Sequence, residues 1–177
     1  IGAEALAPPA KQNAFALFAV ESLDFEKTRL QFGGRFERNS LSAEGLRSRA
    51  YNGFSGAFGV SQRLNTNTAV TANYTHSYRA PAIEELYNNG PHPGNLTFEV
   101  GDPNLKRELN NGFDAGLRHH ASRLRGEVSA FAYRLSDFVY LAPTGNIEDG
   151  LPEANYAQGN AIYRGAEAKL DVGLTRD

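Results

Sequence analysis

The residue best placed for chemistry in this sequence is His92, which stands between Pro91 and Pro93. Prolines on both sides stiffen its presentation, and a neutral imidazole is a common metal donor, zinc included. The same tripeptide also reads as a rigid exposed turn. Glu84, Glu85, Tyr87 and Glu99 are close to it in sequence and Asp102 lies further along, but none falls at a zinc-site spacing. Arg79 can pair with Glu84 or Glu85 to hold the base of the segment, or it can meet an anionic substrate. Asp102-Pro103-Asn104 has the chemistry of a turn: Asp caps its own backbone and Pro presets φ. His119 and His120 are adjacent, so on a strand they point to opposite faces and do not converge on one ion. His76 shares a face with Tyr74 and Tyr78. Catalytic patterns are missing: there is no Gly-x-Ser-x-Gly elbow, no His-Glu-x-x-His pair and no phosphate-binding glycine loop.

The elements that must position these residues follow a period of two. Over Arg29–Arg38, Leu30, Phe32, Gly34 and Phe36 alternate with Arg29, Gln31, Gly33, Arg35 and Glu37, which is the pattern of a strand. Tyr51–Leu64, Thr68–Arg79, Asn111–His119 and Gly165–Leu174 repeat it, with charged and polar residues kept to one face. Asn13–Leu23 and Leu124–Leu141 are expected strands whose facing stays open, since apolar residues occur on both sides. A helix is expected only just after Pro81, which suits a first helical position. The total is seven strands.

The connections alternate: short at Asp24–Lys27, Asn65–Asn67 and Ala121–Ser122, long at Asn39–Ala50, Ala80–Glu108 and Ala142–Gln158. Short turns at one end and long loops at the other are the mark of an outer-membrane barrel. Strands of about 10 residues also match the ~9 to 11 needed to cross a bilayer at a tilt. Tyr51, Tyr74, Tyr78, Tyr140, Tyr156 and Tyr163, near strand ends, suit interfacial belts. Composition excludes other classes. With 18 Lys+Arg against 20 Asp+Glu there is no basic excess for nucleic acid. Without cysteine there is no disulfide framework and no thiolate site. The longest apolar run, Ala14 to Val20, is too short for a membrane helix.

Tyr78-Arg-Ala-Pro, then Glu84-Glu-Leu-Tyr-Asn-Asn-Gly-Pro-His92, then Gly101-Asp-Pro-Asn-Leu-Lys106 and Glu108 resemble the middle of TonB-dependent outer-membrane receptors. There, an aromatic-Arg-Ala-Pro box ends a strand, an extracellular loop follows, and an Asn/Asp-Pro-Asn-Leu box leads into the next strand. Ser129–Tyr140 followed by Tyr163-Arg-Gly-Ala-Glu-Ala is similar to the strand pair that comes next. Gly2-Ala-Glu-Ala-Leu-Ala-Pro-Pro is similar to a preceding loop of the zinc- and haem-uptake branch.

The resemblance implies an all-β chain, an antiparallel transmembrane β-barrel fragment supplying about seven strands of a larger 22-stranded barrel. Residues 1–177 are then expected to be a partial barrel, with the plug domain and the barrel C-terminus outside them. It implies a location in the bacterial outer membrane and contact with outer-membrane lipid. It implies a receptor, not an enzyme, that binds a scarce nutrient such as a ferric siderophore, haem or zinc and imports it with energy from TonB. No built-in cofactor is expected; the metal or haem is cargo. A histidine between the two boxes is an axial haem ligand in haem receptors of this pattern, so His92, Tyr87 and Arg79 are the expected ligand-binding residues and His92 the expected metal donor. Two rivals make different demands. A soluble β-sandwich or adhesin-like module requires the Leu30, Phe32 and Phe36 face to pack on a second sheet. An outer-membrane lipase requires a serine beside a histidine on an outward face.

Overall fold

The computed structural model describes residues 7–174. Its elements are β1 (Ala10–Asp24), β2 (Thr28–Ala43), β3 (Arg49–Arg63), β4 (Thr68–Arg79), α1 (Ile83–Tyr87), β5 (Asn89–His92), β6 (Thr97–Val100), β7 (Glu108–His120), β8 (Leu124–Glu148) and β9 (Leu151–Val172). All strands join one open sheet of nine, in the order β1-β2-β3-β4-β7-β8-β9-β6-β5. The seven long strands are the seven expected ones and pair antiparallel with their neighbours. The count of seven is corrected to nine by β5 and β6, four residues each, inside the Ala80–Glu108 connection. They were hidden because four residues are too few to establish a period.

Two other expected loops are largely strand. β2 runs to Ala43 and β3 starts at Arg49, so the connection shrinks to residues 44–48. The Ala142–Gln158 segment is the end of a long hairpin that turns at Asp149 and Gly150, both with positive φ. Pro143, Gly145 and Pro152 gave it the composition of a loop. The ladder accommodates them with register shifts between Leu135 and Phe138 and between Pro143 and Ile147, where Asp137 and Gly145 adopt left-handed backbone. The asymmetry survives in another form: paired strands, as well as loop, project from the same end.

Register places most apolar residues of the long strands on one continuous face, with Phe18 and Val20 of β1 on the other, opposite Arg35 and Gly33. Leu17 pairs with Phe36 and Phe36 with Phe54. Phe32 pairs with Phe58, Phe58 with Tyr74, and Tyr74 with Phe113. On β8 this face carries Val128, Ala130 and Ala132, which settles the facing left open, and on β1 it carries Phe15, Leu17 and Ala19. Phe131 and Tyr133 turn to the other side, where they stack with Tyr163. Phe36 and Phe58 are 45% and 48% exposed, so no second sheet covers the face that a sandwich would bury.

The apolar band also slides along the register. The row through Ala19, Gly34, Gly56, His76, Asn111, Arg134 and Ile162 lies within the band on β1 to β3 and passes above it by β4. A slip of about one residue per strand, with ~3.3 Å rise and ~4.8 Å strand spacing, corresponds to a tilt of ~35–40°, the tilt of a membrane barrel. Sequence, register and bilayer geometry therefore agree.

Candidate functional site

The buried residues are not between sheets. Leu41, Tyr51, Leu86, Tyr87, Leu105 and Val139 cluster where the β4–β7 connection folds back on the upper ends of the long strands. The polar inner face of the sheet becomes apolar here, at Leu41 and Tyr51, and so gives the connection something to pack on. The Tyr51 hydroxyl donates to the Leu105 carbonyl at 2.8 Å, and Arg49 reaches the same oxygen at 3.2 Å while lying over the Tyr51 ring. Tyr51 and Tyr156 are therefore drawn into the loop packing and not into an interfacial belt. Tyr78 also packs against the cluster. Tyr74 does stay on the outer face, where its hydroxyl and His76 Nδ1 both meet Asn111 Oδ1 at 2.9 Å.

Arg79 closes the base of the connection. Its guanidinium bonds both Glu85 oxygens at 2.9 and 3.0 Å and both Glu108 oxygens at 2.5 and 2.6 Å. Glu85 in turn accepts from the Ala82 amide at 2.8 Å, capping α1. Of the two carboxylates expected beside Arg79, Glu85 takes the role and Glu84 does not. Glu108, 29 residues on, supplies the other half. Four donors spread over two carboxylates commit Arg79 to holding the loop.

Tyr87 is 2% exposed and its hydroxyl donates to the Arg47 carbonyl at 2.8 Å, so its place is in the packing under the loop. Asp102 behaves as its chemistry dictates: its carboxylate accepts from the Asn104 amide at 2.8 Å, and its own amide donates to the Glu85 carbonyl. His92 ends β5 about one-third exposed. Its Nδ1 accepts from the Asn95 amide at 3.3 Å and lies 4.0 Å from Glu99 Oε1. The structure thus brings His92 and Glu99 together, and gives Tyr87 and Arg79 to the support beneath them.

Glu99, which the sequence offered only as one of several acids near His92, has a role that spacing did not reveal. It is 1% exposed. It accepts from Asn88 Nδ2 at 3.1 Å, Asn95 Nδ2 at 2.9 Å and the Tyr156 hydroxyl at 2.8 Å. Burial works to raise its pKa, but the donors from Tyr156 and Asn95, with His92 and Asn88, outweigh it and hold the carboxyl below its ordinary value. On the phenol, burial and the bond to Glu99 act in the same direction, and the Tyr156 pKa is raised. Tyr156 belongs to β9, whose neighbouring residues pair in parallel with β6 from Phe98 to Val100. The carboxylate therefore ties the hairpin to a long strand far away in sequence. Its only sequence signal was an acidic residue amid the short run Thr97-Phe98-Glu99-Val100.

The fit is tight at Gly101. A Cβ there would meet backbone atoms of α1's end, Tyr87 N at 2.6 Å, Leu86 C at 2.7 Å and Asn88 N at 2.9 Å. Backbone cannot step aside, so Gly101→Ala is expected to weaken loop docking by ~1–3 kcal/mol. Hydrogen exchange in the complete protein checks this: amides of residues 83–105 should lose protection while those of β2 and β3 keep theirs. Unchanged protection in 83–105 would refute the close packing.

Among the described residues no group of three or more His, Asp or Glu side chains converges as a metal site. The arrangement is a rigid platform that presents one imidazole, backed by one buried carboxylate, at the long-loop end of the sheet.

Comparison with known proteins agrees with this architecture. The family described as "TonB dependent receptor-like, beta-barrel" matches residues 3–175. The hemoglobin-haptoglobin utilization protein B of Neisseria meningitidis serogroup C is 28% identical over 147 residues, which is 75% of this chain and 18% of that protein. Among solved structures, the hemophore receptor HasR of Serratia marcescens, in complex with its hemophore HasA and heme, superposes with a TM-score of 0.77 at 20% identity over 96% of this chain and 33% of its own. The copper transporter OprC gives 0.78 at 21% identity, covering 94% of this chain and 27% of that one. At these identities the structures share a fold. The chain spans about a fifth of the curated relatives' length and about a third or less of these two solved chains. Proteins of this kind are outer-membrane receptors and not enzymes, and with the match extending over nearly its whole length this chain belongs to the TonB-dependent receptor-like β-barrel family.

Proposed function

We propose that residues 1–177 form a partial barrel of a receptor that takes up haem across the bacterial outer membrane with energy from TonB, and that His92 is an axial donor to the haem iron at the extracellular mouth. The observation that carries this is the presentation of His92, proline-flanked and seated beside the buried Glu99 on a clamped hairpin. Number of donors separates the cargoes. A protein zinc site takes three or four side chains, whereas haem iron already has its porphyrin nitrogens and takes one or two axial residues. A lone imidazole suits haem. The relatives named for hemoglobin-haptoglobin utilization and for a hemophore with heme support the same choice. Glu99 would act on His92 through the hairpin that presents it, since its carboxylate holds Asn88, Asn95 and Tyr156 together and Asn95 in turn donates its amide to His92 Nδ1. Arg79 and Tyr87 would contribute by holding the platform.

Haem and zinc titrations of the complete receptor test the reading. Wild type should develop the Soret shift of ligated haem, and His92→Ala should bind at least tenfold more weakly, a loss of ~1.4 kcal/mol. Zinc should bind neither protein at this site. Equal haem affinity would remove His92 from the site, and a wild-type receptor that ignores haem but binds a ferric siderophore would overturn the choice of cargo.

A further inference from the structure

The polar residues just above the apolar band form an uneven rim. On the outer face they are Arg38 and Asn52 on β2 and β3, His76 on β4, Asn111 on β7, Arg134 on β8 and Arg164 on β9. Arg38 bonds only a neutral partner, Asn52 Oδ1, at 3.4 Å. Asn111 pairs in register with both His76 and Arg134. Arg134 pairs with Ile162 and Ala132 with Arg164, so the two arginines are diagonal neighbours with Cβ atoms ~7 Å apart. Both are exposed. The ion pairs among the described residues engage Arg29, Arg35, Arg79 and Arg118 and leave Arg134 and Arg164 without a carboxylate. The nearest acid up β8, Asp137, lies in the bulged segment with Lys106 Nζ at 3.8 Å.

The opposite rim differs. Its outer-face residues are Thr28, Gln62, Thr68 and His119, tied to one another by Thr28–Gln62 and Thr68–His119 bonds, and its charge is the carboxylate of Glu21 on β1. Among the outer-face strand residues, cations therefore collect at the long-loop edge of the band, while the cations of the other end, Lys27 and Arg123, sit in the turns beyond the strands. Arginine near a membrane interface costs only ~0–1 kcal/mol, against ~2–4 at the midplane, so solvation alone permits both rims to be basic and does not explain why one is. Two adjacent guanidinium groups lacking anions, directly above side chains that meet acyl chains, match a lipid whose headgroup carries phosphate.

We propose that Arg134 and Arg164, with His76 and Asn111 beside them, form a site for the phosphate of an outer-leaflet lipid whose acyl chains lie on the apolar band below. The site is independent of the haem reading, because it faces lipid and His92 belongs to the loop cluster.

Native mass spectrometry of the complete receptor in neutral detergent tests it, with phosphatidic acid and diacylglycerol of identical acyl chains as probes. Wild type should retain phosphatidic acid at concentrations about tenfold lower than the Arg134→Gln/Arg164→Gln double variant needs, while diacylglycerol is held weakly and alike by both. Arg134→Lys/Arg164→Lys, which keeps charge but loses the planar fork, should fall between them. Excess inorganic phosphate should leave the lipid in place, since the chains also hold it. Equal retention of the two lipids by wild type overturns the proposal without reference to any variant. So does undiminished retention by the double glutamine variant, and so does release of the lipid by inorganic phosphate.

Discussion

Glu99→Ala is expected to release the β5–β6 hairpin from the barrel wall at a cost of ~1–3 kcal/mol, the range for leaving a buried polar group without its partner. The size follows from what is left behind. Asn88, Asn95 and Tyr156 would all lose the acceptor they share; the exposed Asn95 and half-buried Tyr156 can turn to water, but Asn88 is buried, and an unsatisfied buried donor costs ~1–3 kcal/mol. Hydrogen exchange, corrected for intrinsic rates, should show residues 89–100 opening in the complete receptor while β2–β3 amides stay protected. The pH dependence has a definite sign. The folded pKa of Glu99 is depressed, so its contribution is complete above the unfolded value of ~4.3 and is lost as pH falls through the lower, folded value. Glu99→Gln keeps the shape but offers one amide to donors, so it should be destabilised at neutral pH and lose less than wild type on acidification, since position 99 no longer titrates. Protection of 89–100 that is unchanged in Glu99→Ala would mean that the hairpin is held by packing alone.

If the hairpin opens, His92 should lose its function with no change to the imidazole itself. Haem affinity in Glu99→Ala should therefore fall along with loop protection. A variant that kept protection but lost haem would instead place Glu99's effect in the orientation and basicity of His92. The two readouts distinguish support of the loop from support of the ligand.

What the sequence revealed and what it hid divide along a physical line. Strands that cross a bilayer carry a long alternating pattern because lipid touches every second residue, and for that reason Phe32, Phe58 and Phe113 could be assigned to strands from spacing. Above the membrane that constraint ends. The ends of β8 and β9 are held by each other, tolerate Pro143 and Pro152, and gave no period. The roles of Glu108 and Glu99 were hidden for a different reason: their partners Arg79 and Tyr156 are 29 and 57 residues away. Only the local half of each arrangement, such as Arg79 with Glu85, lies within reach of spacing arguments. Tyr51 and Tyr156 were misjudged because a tyrosine at a strand end has the same sequence appearance whether its hydroxyl meets water or a buried acceptor.

The membrane assignment makes its strongest claim at Phe58. On the outer face of β3 it stands about midway between Asn52 at the upper rim and Gln62 at the lower, flanked in register by Phe32 and Tyr74, and it is 48% exposed with no protein over it. In lipid, Phe58→Arg should cost ~2–4 kcal/mol, the value for a guanidinium at the bilayer midplane, whereas Gln62→Arg at the lower rim should cost ~0–1. Reversible unfolding of the complete receptor in lipid vesicles measures both. Position makes the pair informative: general disruption of β3 would penalise both substitutions alike, and a surface in water would tolerate Phe58→Arg. A bilayer alone demands a large cost at Phe58 that fades within four residues, because the arginine at position 62 can reach headgroups and water while the one at position 58 cannot. Equal costs at the two positions would show that the Phe32–Phe58–Tyr74 face does not meet the centre of the membrane.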